Sequence, residues 1–306
     1  MSAACTHIVL LNGHARAVSY DLAESIRARF DAHGVKSDIR IIGKRDQIDE
    51  AVARAVAAQP RVLVAAGGDG TISTVASALL GSEVLLGVLP LGTLNHFAKD
   101  LQIPLEVGPA VDTICTGRAK AVDVGWVNGR VFVNNSSLGL YPQVVRRRDE
   151  LVHRLGRPKW PAFAWAALTV LRRYPFMDVR LTVEGRSATY RSPVVFVGNN
   201  QYVYNGLRLG ERRRLDEGCL SVHVVRRVGR LGLALLALRA LLGGLRDAAD
   251  FETFCAPELE VITRRKSVSV ATDGEVSRMN SPLSYRIRAA SLSVIVPSEQ
   301  VAAADA

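Results

Sequence analysis

The reading turns on VLVAAGGDGTISTVASALLG, residues 62–81. A short apolar run ends in Gly67-Gly68-Asp69-Gly70-Thr71, and a helical run follows. Glycines permit positive φ and let backbone N–H groups come close to a ligand. A helix N-terminus carries partial positive charge, so a phosphate is favoured there. Asp69 is suited to hold a Mg²⁺ ion, directly or through water. Thr71 is suited either to hydrogen-bond a phosphate or to cap the helix. A bare Gly-Gly-Asp-Gly is equally a plain turn with an aspartate at a helix start. No Gly-Lys-Ser/Thr follows to make a Walker A loop.

One unit later the chain reads VLPLGTLNHFAKDLQIP, residues 88–104, and again a strand ends in a Gly-Thr turn before a short helix. Around these stretches, strands are expected at residues 7–11, 35–42, 61–66 and 84–89. Helices are expected at 18–30, 46–58 and 71–80, with a short one ending at Leu101. Strands alternating with helices of this length predict an α/β unit with a parallel sheet. Adjacent parallel strands place both glycine turns at one edge of the sheet, where ligands of open α/β sheets bind.

The pattern changes near residue 120. Paired short strands are expected across 122–133, with Asn128-Gly129 as the hairpin turn. A helical stretch at 143–174 carries Arg146-Arg147-Arg148. Strands follow at 177–183, 188–197, 219–225, 259–263, 267–272 and 292–296. This half reads as a β-sandwich or open barrel with two inserted helices. The expected domains are 1–122 and 123–306, with the last strand returning to the first domain and a cleft between the two.

A length of 306 residues fits two domains, and 48% hydrophobic residues suffice for a core in each. The net charge of +10 favours anionic partners. Nucleic acid is a poor candidate, because no recognised motif is present and aromatics make up only 6%. Cys5, Cys115, Cys219 and Cys255 form no Cys-x-x-Cys pair, so four reduced thiols in a cytoplasmic protein are expected. The first residues lack the pattern of a signal peptide. Residues 159–175 and 230–245 are apolar for about four turns each but are broken by arginine or closed by Gly or Pro, so neither is expected to span a bilayer. Each reads either as a buried helix or as a helix lying on a membrane. Arg172-Arg173, Arg212-Arg213-Arg214 and Arg226-Arg227 read either as solvated or as facing anionic headgroups.

GGDGT followed by PLGTLNHFA resembles the diacylglycerol kinase catalytic-domain family, in particular the bacterial lipid kinases that are also similar to sphingosine kinases. NNSSLGLYP (134–142), FVGNNQYVYNGLRLG (196–210), RLDEGCLSV (214–222) and VATDGEVSRMNSP (270–282) resemble the family's later motifs, in order along nearly the whole chain. GGDGT alone also occurs in NAD kinases and phosphofructokinases.

The resemblance implies a two-domain, ATP- and Mg²⁺-dependent lipid kinase, working on diacylglycerol or a long-chain base at the inner face of a membrane. A homodimer is within that expectation. The implied nucleotide site comprises Asn12, Gly67, Gly68, Asp69, Gly70, Thr71, Ile72, Ser73, Thr74, Gly92, Thr93 and Lys99, although a solvated lysine is an equal reading of the last. The implied catalytic groups are Glu275 as the base, Asp273 beside it, and Asp69. A lone Asp-Gly-Glu reads as a hairpin turn. Asp123 is either a strand-end aspartate or a further cleft residue. The resemblance also implies a structural Mg²⁺ held by the main-chain carbonyls of Arg214 and Cys219 and by the carboxylate of Glu217, where relatives carry Asp. Three departures surround the nucleotide. The family's Asn-Pro-x-x-Gly start retains only Asn12; Ser73 and Thr74 stand where relatives have Asn and, soon after, Glu; and Asn95-His96 replaces an Asn-Asp pair. Two other functions share parts of the pattern: a soluble-metabolite kinase of the NAD kinase type, and a non-catalytic binder of lipid or nucleotide.

Overall fold

The structure is a computed structural model and describes residues 7–13, 20–43, 47–140, 142, 176–203, 211–212, 214–225 and 251–298. The expected helices at 143–174 and 230–245, and the clusters Arg146-Arg147-Arg148, Arg172-Arg173 and Arg226-Arg227, lie outside the described residues. The chain divides into two units, 1–123 with 289–306, and 124–288.

The first unit begins β1 (His7–Asn12), α1 (Tyr20–Ala32), β2 (Ser37–Ile42), α2 (Ile48–Ala57), β3 (Val62–Gly67), α3 (Asp69–Leu79) and β4 (Leu85–Pro90). The short α4 (His96–Asp100) and α5 (Val107–Thr116) follow. The strands lie in the order β2-β1-β3-β4, all parallel. β1, β3 and β4 are buried almost end to end, as inner strands of a parallel sheet must be when helices cover its faces. The edge strand β2 is only half-buried. Helix α1 packs with α5, where the Arg29 guanidinium donates to Asp112 at 2.6 Å, and α2 packs with α3. Helix α5 is not among the expected elements; its second and third residues are Gly108 and Pro109. Within the first turn of a helix, however, proline's missing N–H costs nothing.

The second half contains β5 (Arg118–Val127), β6 (Arg130–Phe132), β7 (Asn135–Gly139), β8 (Met177–Val183), β9 (Arg186–Ser192) and β10 (Val194–Asn199). After these come β11 (Tyr202–Val203), β12 (Glu211–Arg212), β13 (Leu220–Val225), β14 (Phe251–Ala256), β15 (Glu258–Thr263), β16 (Ser267–Thr272), β17 (Glu275–Asn280) and the long β18 (Leu283–Val296). The second unit has one sheet ordered β14-β13-β10-β7-β16-β17 and another in which β18, β15, β8 and β9 are neighbours. Val195, Val197, Val222, Leu138 and Val270 from the first sheet share one buried cluster with Val179, Leu181, Val261, Leu283 and Tyr285 from the other. That is a β-sandwich rather than an open barrel. Buried Tyr285 reaches Ser136 of β7 at 3.0 Å, and burial pushes its phenol pKa up.

Two expectations are corrected here. The strand expected at 188–197 is two strands, β9 and β10, and they belong to different sheets. Pro193 stands between them and has no N–H for a ladder, while the Ser192 hydroxyl lies 2.6 Å from the carbonyls of both Val194 and Val225, which share its one proton. The cysteines are not all free thiols. β13 pairs with β14, Ser221 opposite Cys255, and this brings Cys219 to Cys255 as a disulfide with Cα atoms 5.8 Å apart. Their separation of 36 residues hides the pairing from the sequence. Cys115 is a free thiol, and burial raises its pKa to about 11.

The end of β18 runs back into the first unit. Val294 pairs with Leu86 of β4, in parallel. Asp123 accepts the Ala290 N–H at 2.8 Å, and the Ser298 hydroxyl donates to the Thr116 carbonyl at 3.0 Å. Asp123 lies in the middle of β5 and not at a strand end; it holds a backbone turn and is 2% exposed.

Candidate active site

In the first unit, the C-terminal ends of β1, β3 and β4 carry the residues singled out from the sequence. Gly68 stands at the N-cap of α3 in an extended conformation, with φ −88°. Thr71 therefore lies inside the helix and does not cap it. Its Oγ1 accepts from Asn12 Nδ2 at 2.9 Å, which ties the end of β1 to the glycine loop. Gly67 has no room for a side chain, because a Cβ there would lie 2.5 Å from that same Oγ1. Thr74 turns its hydroxyl back to the Gly70 carbonyl at 3.0 Å. Ile72 is buried in the core. Ser73 and Gly70 are half-buried.

The second glycine turn sits against the first. The Leu91 N–H donates to the Gly67 carbonyl at 2.9 Å, and Asp69 Oδ1 accepts the Phe97 N–H at 3.2 Å. Asn95 organises this turn. It adopts a left-handed conformation with φ 51°, accepts the Gly92 N–H at 2.9 Å, and donates to the carbonyls of Gly92 and Pro90 at 3.1 and 3.3 Å. Asn is one of the few side-chain-bearing residues that adopt this conformation readily. Sequence reasoning left Asn95 out of the candidate residues around the glycine turns; the signal was its place just after Gly-Thr. Thr93 and Lys99 are exposed beside the turn.

In the second unit the hairpin β16–β17 turns through Asp273 and Gly274, with φ 48° and 82°, between the paired residues Thr272 and Glu275. Two successive positive φ values make this a two-residue turn of the Asp-Gly type. The Asp273 carboxylate accepts the N–H groups of Val133, Asn134 and Asn135, at 2.8, 2.9 and 3.0 Å. The Asp273 N–H donates to the Asn135 carbonyl at 2.9 Å. Glu275 is half-buried at the start of β17.

The same segment is held from its carbonyl side. Arg212 is 4% exposed. Its Nη1 donates to the carbonyls of Val133 and Asn199 at 2.7 and 2.9 Å, and its Nη2 to Asn134 Oδ1 at 2.7 Å. Its guanidinium lies over the Tyr202 ring, 5.5 Å from the centroid. The reading of Arg212 as a headgroup contact is therefore corrected: its charge is spent on buried carbonyls. Arg213 lies outside the described residues, and Arg214 is exposed and paired with Asp216 at 2.9 Å.

The loop 214–219 wraps Asn200, which has φ 66°. Asn200 N–H donates to the Cys219 carbonyl at 2.9 Å. Glu217 N–H donates to Asn200 Oδ1, and the Glu217 carboxylate accepts the Gln201 N–H, both at 3.0 Å. Among the described residues no three His, Cys, Asp or Glu side chains gather as a metal cluster. No helix among them is long and apolar enough to cross a membrane.

Comparison with known proteins agrees with this fold. Residues 6–127 match the model of the diacylglycerol kinase catalytic domain, and residues 137–296 that of the YegS C-terminal NAD kinase beta sandwich-like domain. These matches define a two-part fold, an α/β unit followed by a β-sandwich. The chain belongs to the diacylglycerol kinase-like family of lipid kinases. It is 29% identical to a "Probable lipid kinase YegS-like" of Yersinia enterocolitica serotype O:8 / biotype 1B, over 88% of this chain and 89% of that one. It is 28% identical to a protein of the same name from Pseudomonas syringae pv. syringae, over 95% and 93%. A crystal structure of a diacylglycerol kinase from Bacillus anthracis str. Sterne superposes with a TM-score of 0.70 at 19% identity, over 95% of this chain and 97% of that one.

Proposed function

We propose that the protein transfers the γ-phosphoryl group of ATP to a hydroxyl of a lipid, diacylglycerol or a long-chain base. The observation that carries this reading is the contact between the two glycine turns, Gly67–Gly68 and Leu91–Gly92, with Asp69 between them and Asn12 fastened to Thr71. Turns without side chains expose N–H groups and admit a polyphosphate. Gly67, Gly68, Gly70 and Gly92 form the phosphate-binding part, with Thr93 and Lys99 at its rim. Asp69 suits Mg²⁺, which takes one or two carboxylates when phosphates supply the remaining oxygens. Magnesium bound with ATP supplies charge neutralisation on the transferring phosphate.

Glu275 is the general base. It accepts the proton of the lipid hydroxyl while that oxygen attacks the γ-phosphorus and the bond to the bridging oxygen breaks, leaving ADP. Asp273 is a positioning residue: its carboxylate is committed to three backbone N–H groups and fixes the turn before Glu275. A structural Mg²⁺ at the 214–219 loop would be held by the main-chain carbonyls of Arg214 and Cys219 and by the carboxylate of Glu217. The Cys219 carbonyl has a second lone pair beside the one that accepts the Asn200 N–H, and Glu217 a second oxygen beside the one that accepts the Gln201 N–H. Peripheral contact with the inner face of a membrane follows from the lipid substrate, and a cytoplasmic location from the use of ATP.

The test is transfer of labelled γ-phosphate from ATP and Mg²⁺ into a total lipid extract in mixed micelles, with Glu275→Gln as control and NAD in parallel. A labelled lipid that disappears in Glu275→Gln establishes the activity. Label in NAD alone, or in neither acceptor, overturns it.

A further inference from the structure

The segment Val133–Asn135 carries no catalytic group, yet all six of its main-chain polar groups are engaged. Its three N–H groups point to Asp273. Its carbonyls are taken in turn. Val133 O accepts from Arg212 and Asn199 Nδ2, Asn134 O from Asn199 N–H and the Tyr202 hydroxyl, and Asn135 O from Asp273 N–H. A carboxylate therefore grips one side of these peptides and a guanidinium the other.

We infer that Arg212 is a positioning residue for Glu275, acting through the Val133–Asn135 peptides on the Asp273–Gly274 turn. The inference rests on the kinase reading for its effect on rate, and on geometry alone for its effect on the turn. A cation at the carbonyl end and an anion at the N–H end polarise the intervening peptides in the same sense, so each strengthens the hydrogen bonds of the other. Arg212 suits this place because its planar fork reaches two carbonyls and one amide oxygen at once, which a lysine ammonium does not reproduce. Without it, Asn134 Oδ1 and the Asn199 carbonyl lose that donor in a buried site. The Val133–Asn134 peptide, whose N–H holds Asp273, then keeps the Asn199 Nδ2 bond on its carbonyl but loses the charge-assisted one, and is held less firmly. Glu275 lies two residues beyond Asp273, and a small displacement of a base costs rate more than binding.

The experiment compares wild type with Arg212→Lys and Arg212→Met by two readouts. The first is steady-state phosphoryl transfer to lipid. Arg212→Met is expected to lower kcat on the order of 100-fold with KM for ATP within about twofold, and Arg212→Lys to recover part of the loss. The second is amide hydrogen exchange by mass spectrometry, which needs no activity. Peptides covering residues 270–278 are expected to exchange about tenfold faster, while those from β3–α3 and β8–β9 are unchanged. Normal kcat in Arg212→Met, or faster exchange spread evenly over the second unit, overturns the proposal. If wild type transfers no phosphate, the kinase reading fails by itself and the exchange pattern still decides the role of Arg212.

Discussion

Gly68 and Gly92 touch backbone to backbone: a Cβ built on Gly92 would lie 2.6 Å from the Gly68 Cα and 2.7 Å from Asn95 Oδ1. The two turns cannot close on each other with a side chain at position 92, whereas a Cβ on Gly68 would meet the Gly92 Cα at 3.3 Å, a tight contact and not an outright clash. Gly92→Ala is therefore expected to push the turns apart. Overpacking of this kind costs about 1–3 kcal/mol, and the loss should fall first on nucleotide binding. Isothermal titration of ATP against wild type and Gly92→Ala, with thermal unfolding alongside, checks this. Unchanged affinity would remove the paired turns from the binding site.

Asp273 and Glu275 stand two residues apart, and opposite failures are expected of them. Asp273→Asn offers one acceptor oxygen and an NH₂ group to three backbone N–H donors, so about 1–3 kcal/mol of stability is lost. Glu275→Gln is expected to unfold within about 0.5 kcal/mol of wild type and to lose on the order of 10²–10⁴-fold in turnover. Denaturant titration and the transfer assay on the same two variants separate the roles. Equal stability losses would contradict the division of labour.

The Cys219–Cys255 bridge closes a loop of 36 residues and anchors the segment wrapped around Asn200. Closure of a loop this long is worth about 4 kcal/mol on chain-entropy grounds. Cys219→Ser, or wild type held in reductant, is expected to melt several degrees lower than the oxidised protein. Differential scanning calorimetry with and without reductant is the measurement, and coincident melting curves would refute it.

His223 is buried beside Phe196, 5.6 Å between ring centroids, with Nδ1 3.0 Å from the Thr253 hydroxyl. Burial lowers its pKa from 6.5 to about 3. Between those values the unfolded chain takes up a proton that the folded chain refuses. Stability is therefore full above pH 6.5 and falls as the pH drops toward 3, by about 1.4 kcal/mol per pH unit within that window. His7 acts in the same direction, lowered by burial and by Arg61. Unfolding titrations from pH 7 to pH 4 should show a shallower slope for His223→Asn than for wild type.

The sheet of the first unit was legible because its signals are local. Each buried strand is an apolar run, and each turn announces itself with glycine. The hairpin at Asp273-Gly274 was legible for the same reason. What escaped is held by distant partners. The donors to Asp273 stand about 140 residues away, so its neighbour Glu275 and the clamp around it look alike in sequence. Arg212 opens a run of three arginines and reads as surface charge, although its hydrogen bonds are to Val133, Asn134 and Asn199. Strands β14 and β17 lack clear boundaries. β17 is half-buried over its first three residues and buries only Met279 of its last three, so no period marks it and its pairing with β16 defines it.

The final pairing of β18 with β4 sets a timetable for synthesis. Leu86 emerges from the ribosome more than 200 residues before Val294, the residue that will lie beside it. Until then β4 has an open edge, and the turn between residues 289 and 291 that Asp123 secures does not exist. Residues 124–288 are complete before the end of that strand is made. Of the two units, the one whose chain emerges earlier is thus finished later.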